Sequence, residues 1–399
     1  MDWARPARQV GQHAHNLALV SRLIASHGPV SRAELAQRSG LTKTTVTQLT
    51  GELLDAGLVR ELGTARHSGP GRPATHLVIN ASGPAGVGMQ IEADHVAGCL
   101  VDLTGRVRDR ALRRVDDLHG DPAAAVKAAE SVLRRLLAAA AARDTVVAGI
   151  AVGVPGEVDG EGRVRSAELG WDDVPLARLL LRRLAGLSGG LIPVSVHDGF
   201  RLAALAERWF GGAAPARSLV VVGGELSLGV GVVDAGDRWD HIPAGPLGHV
   251  RVRRGGERCR CGARGCLDTV AGPRALLRAV VPDTPVASRL SGGDNRMRAL
   301  ARSKTPEADA VLRRAASALG GALAGLLVAH GPATVVLAGH LAPLGAPFAA
   351  RVAAELGRGL PEDEPPVSAS SLGGDAVALA AAGTVTRRLV EDPARWLAS

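Results

Sequence analysis

Apolar residues recur at helical spacing near the start of the chain. Leu17, Val20 and Ile24, with Leu19 and Leu23 beside them, predict a first helix. Gly28-Pro29 ends it. Ser31-Arg32-Ala33-Glu34 has the form of a capping box, in which the serine hydroxyl takes an orphan amide and the glutamate reaches back. A short second helix is expected to end near Arg38, with a tight turn at Ser39-Gly40-Leu41. Thr42 then caps a third helix whose Val46, Leu49 and Leu53 share one face, and Gly57 closes it. Strand-like runs at 58–62 and 75–79 flank a polar tip, Ser68-Gly69-Pro70-Gly71-Arg72-Pro73. This order predicts a winged helix-turn-helix over residues 1–80.

With Val46, Leu49 and Leu53 turned inward, Lys43, Thr44, Thr47 and Gln48 face outward from the start of the third helix. A helix in the major groove reads base edges and phosphates with such polar residues near its N-terminus. Thr and Gln suit base edges or phosphates, and Lys43 suits the backbone. At the wing tip, Arg72 sits between Gly71 and Pro73, and a short extended tip with one Arg fits a minor groove, where the potential is most negative. The partner implied is a double-stranded DNA operator. A winged helix reused for protein contacts would carry the same pattern.

Beyond a short linker at 80–86, the pattern changes to mixed strands and helices, which predicts an α/β body over 81–399. A hairpin is expected within 86–120, turning at 101–107. Asp121–Ala142 reads as a helix, 145–153 and 219–233 as strands, and 308–329 as a long helix in which Gly320-Gly321 allows close packing. A closing helix is expected at 376–394. The stretch 283–306 lacks strong periodicity and reads as a surface excursion.

Charge sharpens the reading of the first module. The net charge of the 399-residue chain is +8. Residues 1–80 hold nine Lys and Arg against five Asp and Glu, a difference of +4. Half of the excess therefore sits in the first fifth of the chain, as a polyanionic partner requires. No apolar run reads as long and clean enough for a membrane span, and Met1-Asp2-Trp3-Ala4-Arg5 has no signal-peptide character. A cytoplasmic protein is expected.

Cys99 stands in an apolar segment and reads as a buried hydrophobe. The other three cysteines, Cys259, Cys261 and Cys266, follow Gly248-His249 closely. One His and three Cys are the donors of a structural, tetrahedral zinc site with no position left for water. Gly262 and Gly265 let the backbone bring the sulfurs together. Asp268 is spaced poorly for the same metal and is expected to line a neighbouring cleft.

Four segments together resemble the ROK family (repressor, open reading frame, kinase). They are Arg32-Ala33-Glu34-Leu35-Ala36 through Thr42-Lys43-Thr44-Thr45-Val46 to Gly71-Arg72-Pro73, then Gly149-Ile150-Ala151-Val152-Gly153-Val154-Pro155-Gly156, then Gly248-His249 with the three cysteines, and Val335-Val336-Leu337-Ala338-Gly339. The resemblance implies a two-lobed, actin-like ATPase fold with zinc near a sugar cleft, a homodimer or dimer of dimers, and the DNA-binding half found in the family's repressors. It also implies sugar-binding roles for Gly153, Pro155, Gly156, Asp198, His249 and Asp268.

The departures from the kinase pattern are informative. Where such kinases carry a Gly-Gly-Thr phosphate turn, this chain reads Gly86-Val87-Gly88-Met89-Gln90-Ile91-Glu92-Ala93-Asp94-His95. The second turn reads Leu226-Ser227 where a Thr-Gly is expected. The base-region motif becomes His197-Asp198-Gly199-Phe200, with the base position on either Asp198 or Gly199. The glutamate before the zinc histidine is replaced by Pro246. A catalytically dead, sugar-responsive regulator of carbohydrate-related genes is therefore expected. The alternatives are a sugar kinase that also binds DNA, and a regulator controlled by protein contact.

Overall fold

The computed structural model describes residues 5–62, 75–184, 186–187, 192–212, 217–236, 242–278, 293–360 and 365–398. Arg72 and the wing tip lie outside the described residues.

Helices α1 (Arg5–His27), α2 (Arg32–Ser39) and α3 (Lys43–Asp55) bury Leu17, Val20, Ile24, Leu35, Val46, Leu49 and Leu53 in one core. The capping box forms: Glu34 N donates to Ser31 Oγ at 3.3 Å and Ser31 N donates to Glu34 Oε2 at 2.8 Å. Thr45 N donates to Thr42 Oγ1 at 3.2 Å and starts α3. The wing is a three-stranded antiparallel sheet. It consists of β1 (Val30–Ser31), β2 (Val59–Leu62) and β3 (His76–Ile79), with β3 in the middle. The two-residue β1 carries too little pattern to be seen in the sequence.

Gly40 joins α2 to α3 at φ +73°, with open space where a side chain would sit. Strain alone therefore sets the effect of Gly40→Ala, about 1 kcal/mol. Backbone amides across α2 and α3 of the full chain are expected to exchange hydrogen about fivefold faster, with the remaining protein unchanged. Uniform exchange rates in the variant would contradict the left-handed turn.

The winged module is seated on the body rather than tethered to it. Leu103 and Leu389 belong to its core, and Ala148, Ala394 and Trp396 pack against it. Trp396 Nε1 donates to the Ala56 carbonyl at 3.4 Å, closing the contact from the far end of the chain.

The body has two lobes, each built on a five-stranded sheet. In the first lobe, β4 (Ala85–Ile91), β5 (His95–Asp102) and β6 (Val107–Arg114) form an antiparallel meander. Helix α4 (Pro122–Ala141) covers it, and β7 (Val147–Val154) joins parallel to β4. A small sheet follows, from β8 (Glu157–Val158), β9 (Val164–Ser166) and β10 (Trp171–Val174). After α5 (Leu176–Leu184), β11 (Val194–Asp198) pairs parallel to β7 and leads into α6 (Gly199–Phe210).

The second lobe orders β14 (Ala244–Gly245), β13 (Gly229–Asp234), β12 (Ser218–Gly223), β15 (Thr334–Leu337) and β16 (Val367–Ala369) across its sheet. Its helices are α7 (Asp268–Ala271), α8 (Pro273–Arg278), α9 (Gly293–Arg302), α10 (Pro306–His330) and α11 (Gly345–Gly357). The chain then returns to the first lobe through α12 (Ala376–Glu391) and ends in α13 (Pro393–Leu397). Gly86 and Gly88 of β4 permit this return, because a Cβ on Gly88 would run into the Ala378 carbonyl.

Two expectations from the sequence are corrected. Helix α10 is long and apolar enough to cross a membrane. Its Leu312, Ala315, Leu319, Leu323 and Leu327 face is nevertheless packed in the second lobe's core, and Gly320 lets it approach Glu355 of α11. The described part of 283–306 is not a surface excursion either: α9 buries Met297 and Leu300. Its arginine-rich sequence hides that narrow apolar stripe.

Candidate DNA-reading helix and effector cleft

On α3, Lys43, Thr44, Thr47 and Gln48 are all exposed and Val46, Leu49, Thr50 and Leu53 are buried, so one turn of polar side chains faces solvent. The Thr47 hydroxyl donates to the Lys43 carbonyl at 2.8 Å and keeps its acceptor capacity. Gln48 Nε2 donates to Glu52 Oε1 at 3.3 Å, an exposed helix pair that costs little to exchange for another partner. Arg32 fastens α2 to α3 and the wing, with Nε donating to the Thr50 hydroxyl at 3.1 Å and Nη2 to Glu61 at 2.8 Å.

The cysteine segment folds back on itself through bridges between Arg251 and Cys266 and between Arg258 and Arg264. Gly262 and Gly265 take φ of +88° and +75°, and a side chain on Gly265 would collide with the Arg253 carbonyl. Cys259 Sγ lies 3.7 Å from His249 Nδ1, and Cys261 Sγ lies 3.7 Å from Cys266 Sγ. All three thiols are free. A tetrahedron with metal–sulfur bonds of about 2.3 Å and metal–nitrogen bonds of about 2.0 Å has edges of about 3.5–3.8 Å. The donor types and these two distances fit zinc, and His249, Cys259 and Cys261 lie within 4.8 Å of one another.

The other face of His249 meets a residue the sequence reasoning missed. His249 Nε2 lies 3.2 Å from Glu168 Oε1. Glu168 is buried at the tip of the β9–β10 hairpin, where Leu169 N donates to Ser166 Oγ at 3.1 Å. Burial works to raise the Glu168 carboxyl, but the neighbouring His249 ring and hydrogen bonds from other groups hold it below its ordinary value; His249 Nε2 is close to it without a formed hydrogen bond. The only local signal was an acid enclosed by apolar and small residues in Ala167-Glu168-Leu169-Gly170-Trp171.

Asp268 joins the same cluster, with Oδ2 4.0 Å from His249 Nδ1. It also ties down the second phosphate turn: Ser227 Oγ donates to Oδ2 at 2.6 Å and Leu228 N donates to Oδ1 at 2.8 Å. Burial raises its carboxyl, and these two donors work against the rise.

Asp198 ends β11 beside Val154 and the Pro155-Gly156 loop. Its Oδ1 accepts from Phe200 N at 2.7 Å and Arg201 N at 3.2 Å, so the carboxylate caps α6. Burial pushes it up to about 6 despite those amides. Gly199, not Asp198, lines the inter-lobe cleft, together with Gly153, Pro155 and Ser227. Gly156 has φ +134° and abuts the Arg165 carbonyl, which is a turn requirement.

The first phosphate turn is committed to structure. Gln90 Nε2 donates to the Gly374 carbonyl at 2.7 Å and its Oε1 accepts from Ala378 N at 3.3 Å, which locks α12 in place. Glu92 follows it into the cleft. Carboxylates repel a polyphosphate, and neither turn offers the glycine amides that would hold one.

A winged helix seated on a two-lobed α/β body of the actin-like, kinase-like type, with both phosphate turns lost, defines a transcription regulator made from a kinase scaffold. The chain belongs to the ROK family: the ROK family model matches residues 86–386, and a winged helix-turn-helix DNA-binding model matches residues 20–60. It is similar to the xylose repressor of Bacillus subtilis, at 26% identity over 268 residues, 66% of this chain and 67% of that one. It is also similar to the DNA-binding transcriptional dual regulator NagC of Escherichia coli, at 27% identity over 278 residues, 67% of this chain and 64% of that one. The crystal structure of a ROK family transcriptional regulator, a homolog of the E. coli MLC protein, superposes with a TM-score of 0.75 at 24% identity. It covers 97% of this chain and 100% of that one. The chain is a DNA-binding transcriptional regulator of this family and not one of its kinases.

Proposed function

We propose that this protein is a cytoplasmic repressor of carbohydrate-related genes whose operator affinity is set by a sugar or sugar derivative bound in the body. The functional division falls near residue 80, with DNA reading before it and effector binding after it. Acting as a homodimer or a dimer of dimers, it presents two recognition helices to a palindromic operator. Lys43, Thr44, Thr47 and Gln48 contact the major groove, and Arg72 contacts the minor groove. The names of its relatives, repressors for xylose and N-acetylglucosamine, support the sugar class.

The observation that carries the effector reading is the pairing of Glu168 with His249. Pro246 leaves the usual acceptor of this region missing, and Glu168 supplies a carboxylate in its place. Glu168 and His249 Nε2 take vicinal hydroxyls. Gly153, Pro155 and Gly156 shape the loop beside them, Asp198 holds the start of α6, and Asp268 holds the Ser227 turn against His249. His249 Nδ1 and the sulfurs of Cys259, Cys261 and Cys266 would hold a structural zinc. When bound, zinc cross-links the segment and fixes the histidine ring.

Sugar binding alters operator affinity through the shared core at Leu103, Leu389 and Trp396. A coupling of about 1–3 kcal/mol is ordinary for such a switch. The test is titration of D-xylose, D-glucose and N-acetylglucosamine against the protein bound to genomic fragments that it selects. At least one sugar is expected to release DNA, and Glu168→Gln is expected to weaken that sugar about tenfold to a hundredfold, the range for a hydrogen bond to a charged group. Operator affinity that no sugar changes would remove the effector half of the proposal.

A further inference from the structure

The inner end of the inter-lobe cleft lies where kinases of this fold cradle phosphate. Among its described lining residues there is no Lys, Arg or His, yet it contains Glu92, Glu207 and Glu225. Glu207 is satisfied, because the Ser370 hydroxyl donates to it. Glu92 is not: it is 7% exposed, and its buried Oε2 has no hydrogen-bond partner. The charges acting on it, from Glu225, Asp94 and Glu168, are all negative. The outer mouth is shared with Arg298 and Arg302, but Arg298 is paired with Asp294 at 3.7 Å.

We propose that this inner end binds a protonated amine carried by a polyhydroxylated effector, an amino sugar or aminocyclitol, with Glu92 and Glu225 as counter-ions. This rests on the reading of the cleft as an effector site and adds the ligand's charge to it.

A neutral hydroxyl brings no counter-charge, so a buried acid stays protonated beside it, whereas an ionised Glu92 needs a cation in a low-dielectric site. A phosphate would add repulsion. A primary ammonium supplies the missing charge and three donors, enough for the orphaned Glu92 oxygen and for Glu225. Ser227 lines it and also donates to Asp268, so a ring with hydroxyls on His249 and Glu168 would direct an amine inward. Burial and like charges push the Glu92 carboxyl well above its ordinary value and Glu225 up to about 7, so each holds its proton while the cleft is empty and releases it when a cation arrives.

The test is calorimetry on the full chain with glucosamine, galactosamine and streptamine, compared with glucose and N-acetylglucosamine, which lack the charge. Putrescine and magnesium chloride are tested alone. At least one of the amine-bearing polyols is expected to bind about tenfold or more tighter than glucose and N-acetylglucosamine. Glu92→Gln and Glu225→Gln should each erase most of that preference. Glu92→Gln removes an unpaired buried acid, so its thermal midpoint should equal or exceed that of the parent, which separates lost binding from misfolding.

Equal binding of glucosamine and glucose overturns the amine proposal and leaves the sugar reading standing. Putrescine binding as tightly as the amino sugars, and lost in Glu92→Gln, keeps the amine site and overturns the polyol reading. Saturable magnesium binding with no binding of any amine overturns the proposal in favour of a metal site. No binding of any amine, or a preference that survives both substitutions, overturns it outright.

Discussion

Replacing Lys43 and Gln48 together with alanine is expected to abolish selective operator binding while leaving the fold intact. Both side chains are exposed on α3, so their loss leaves no cavity. A good contact to a base edge discriminates by about 1–3 kcal/mol. In a symmetric dimer each substitution acts twice, so Gln48→Ala alone should cost about 2–6 kcal/mol, or about thirtyfold to twenty-thousandfold in affinity. Lys43→Ala acts differently. Removing a phosphate contact weakens binding to all sequences and lowers the salt slope by about one per subunit. Fluorescence anisotropy at several salt concentrations, with selected and scrambled fragments, separates the two effects. An unchanged ratio of selected to scrambled affinity in the double variant would mean that α3 does not read bases.

The second large effect is expected from Cys266→Ser. Cys266 is fully buried and its sulfur is 3.7 Å from that of Cys261, so the variant loses one of four donors at the centre of the segment. Zinc at a hundred times its dissociation constant stabilises the folded chain by about 2.7 kcal/mol. Its loss should lower the thermal midpoint by about 3 °C for a chain of this size. Elemental analysis should find about one zinc per chain in the parent and none in the variant, and a strong chelator should lower the midpoint of the parent only. Sugar affinity should fall as well, because His249 loses the restraint that aims Nε2 at Glu168. Cys99→Ser is the matched control. Cys99 is buried within β5, and burial pushes its thiol up to about 12, so it belongs to packing. Equal zinc content in the parent and the Cys266 variant would contradict the assignment.

Caps, turns and clustered ligands were legible because their chemistry acts over a few residues. Ser31 and Glu34, Thr42 and Thr45, and Gly40 set the helix ends from within four positions of each other. The loss of the phosphate turns was also legible, since it is a matter of which side chains stand at two short segments. The stretch 283–306 was misread because the burial of α9 depends on the second lobe that covers Met297 and Leu300.

The outward polar row of α3, the winged order and the clustering of one His with three Cys could be read from the chain alone, because each is encoded by residues close together in it. It took the folded chain to place Glu168 against His249, Asp268 on the Ser227 turn, Gln90 on α12 and Trp396 beneath the DNA-binding module. Those contacts join segments far apart in sequence. They depend on where two lobes cross and on which way each buried side chain points, and neither leaves a periodic trace along the chain.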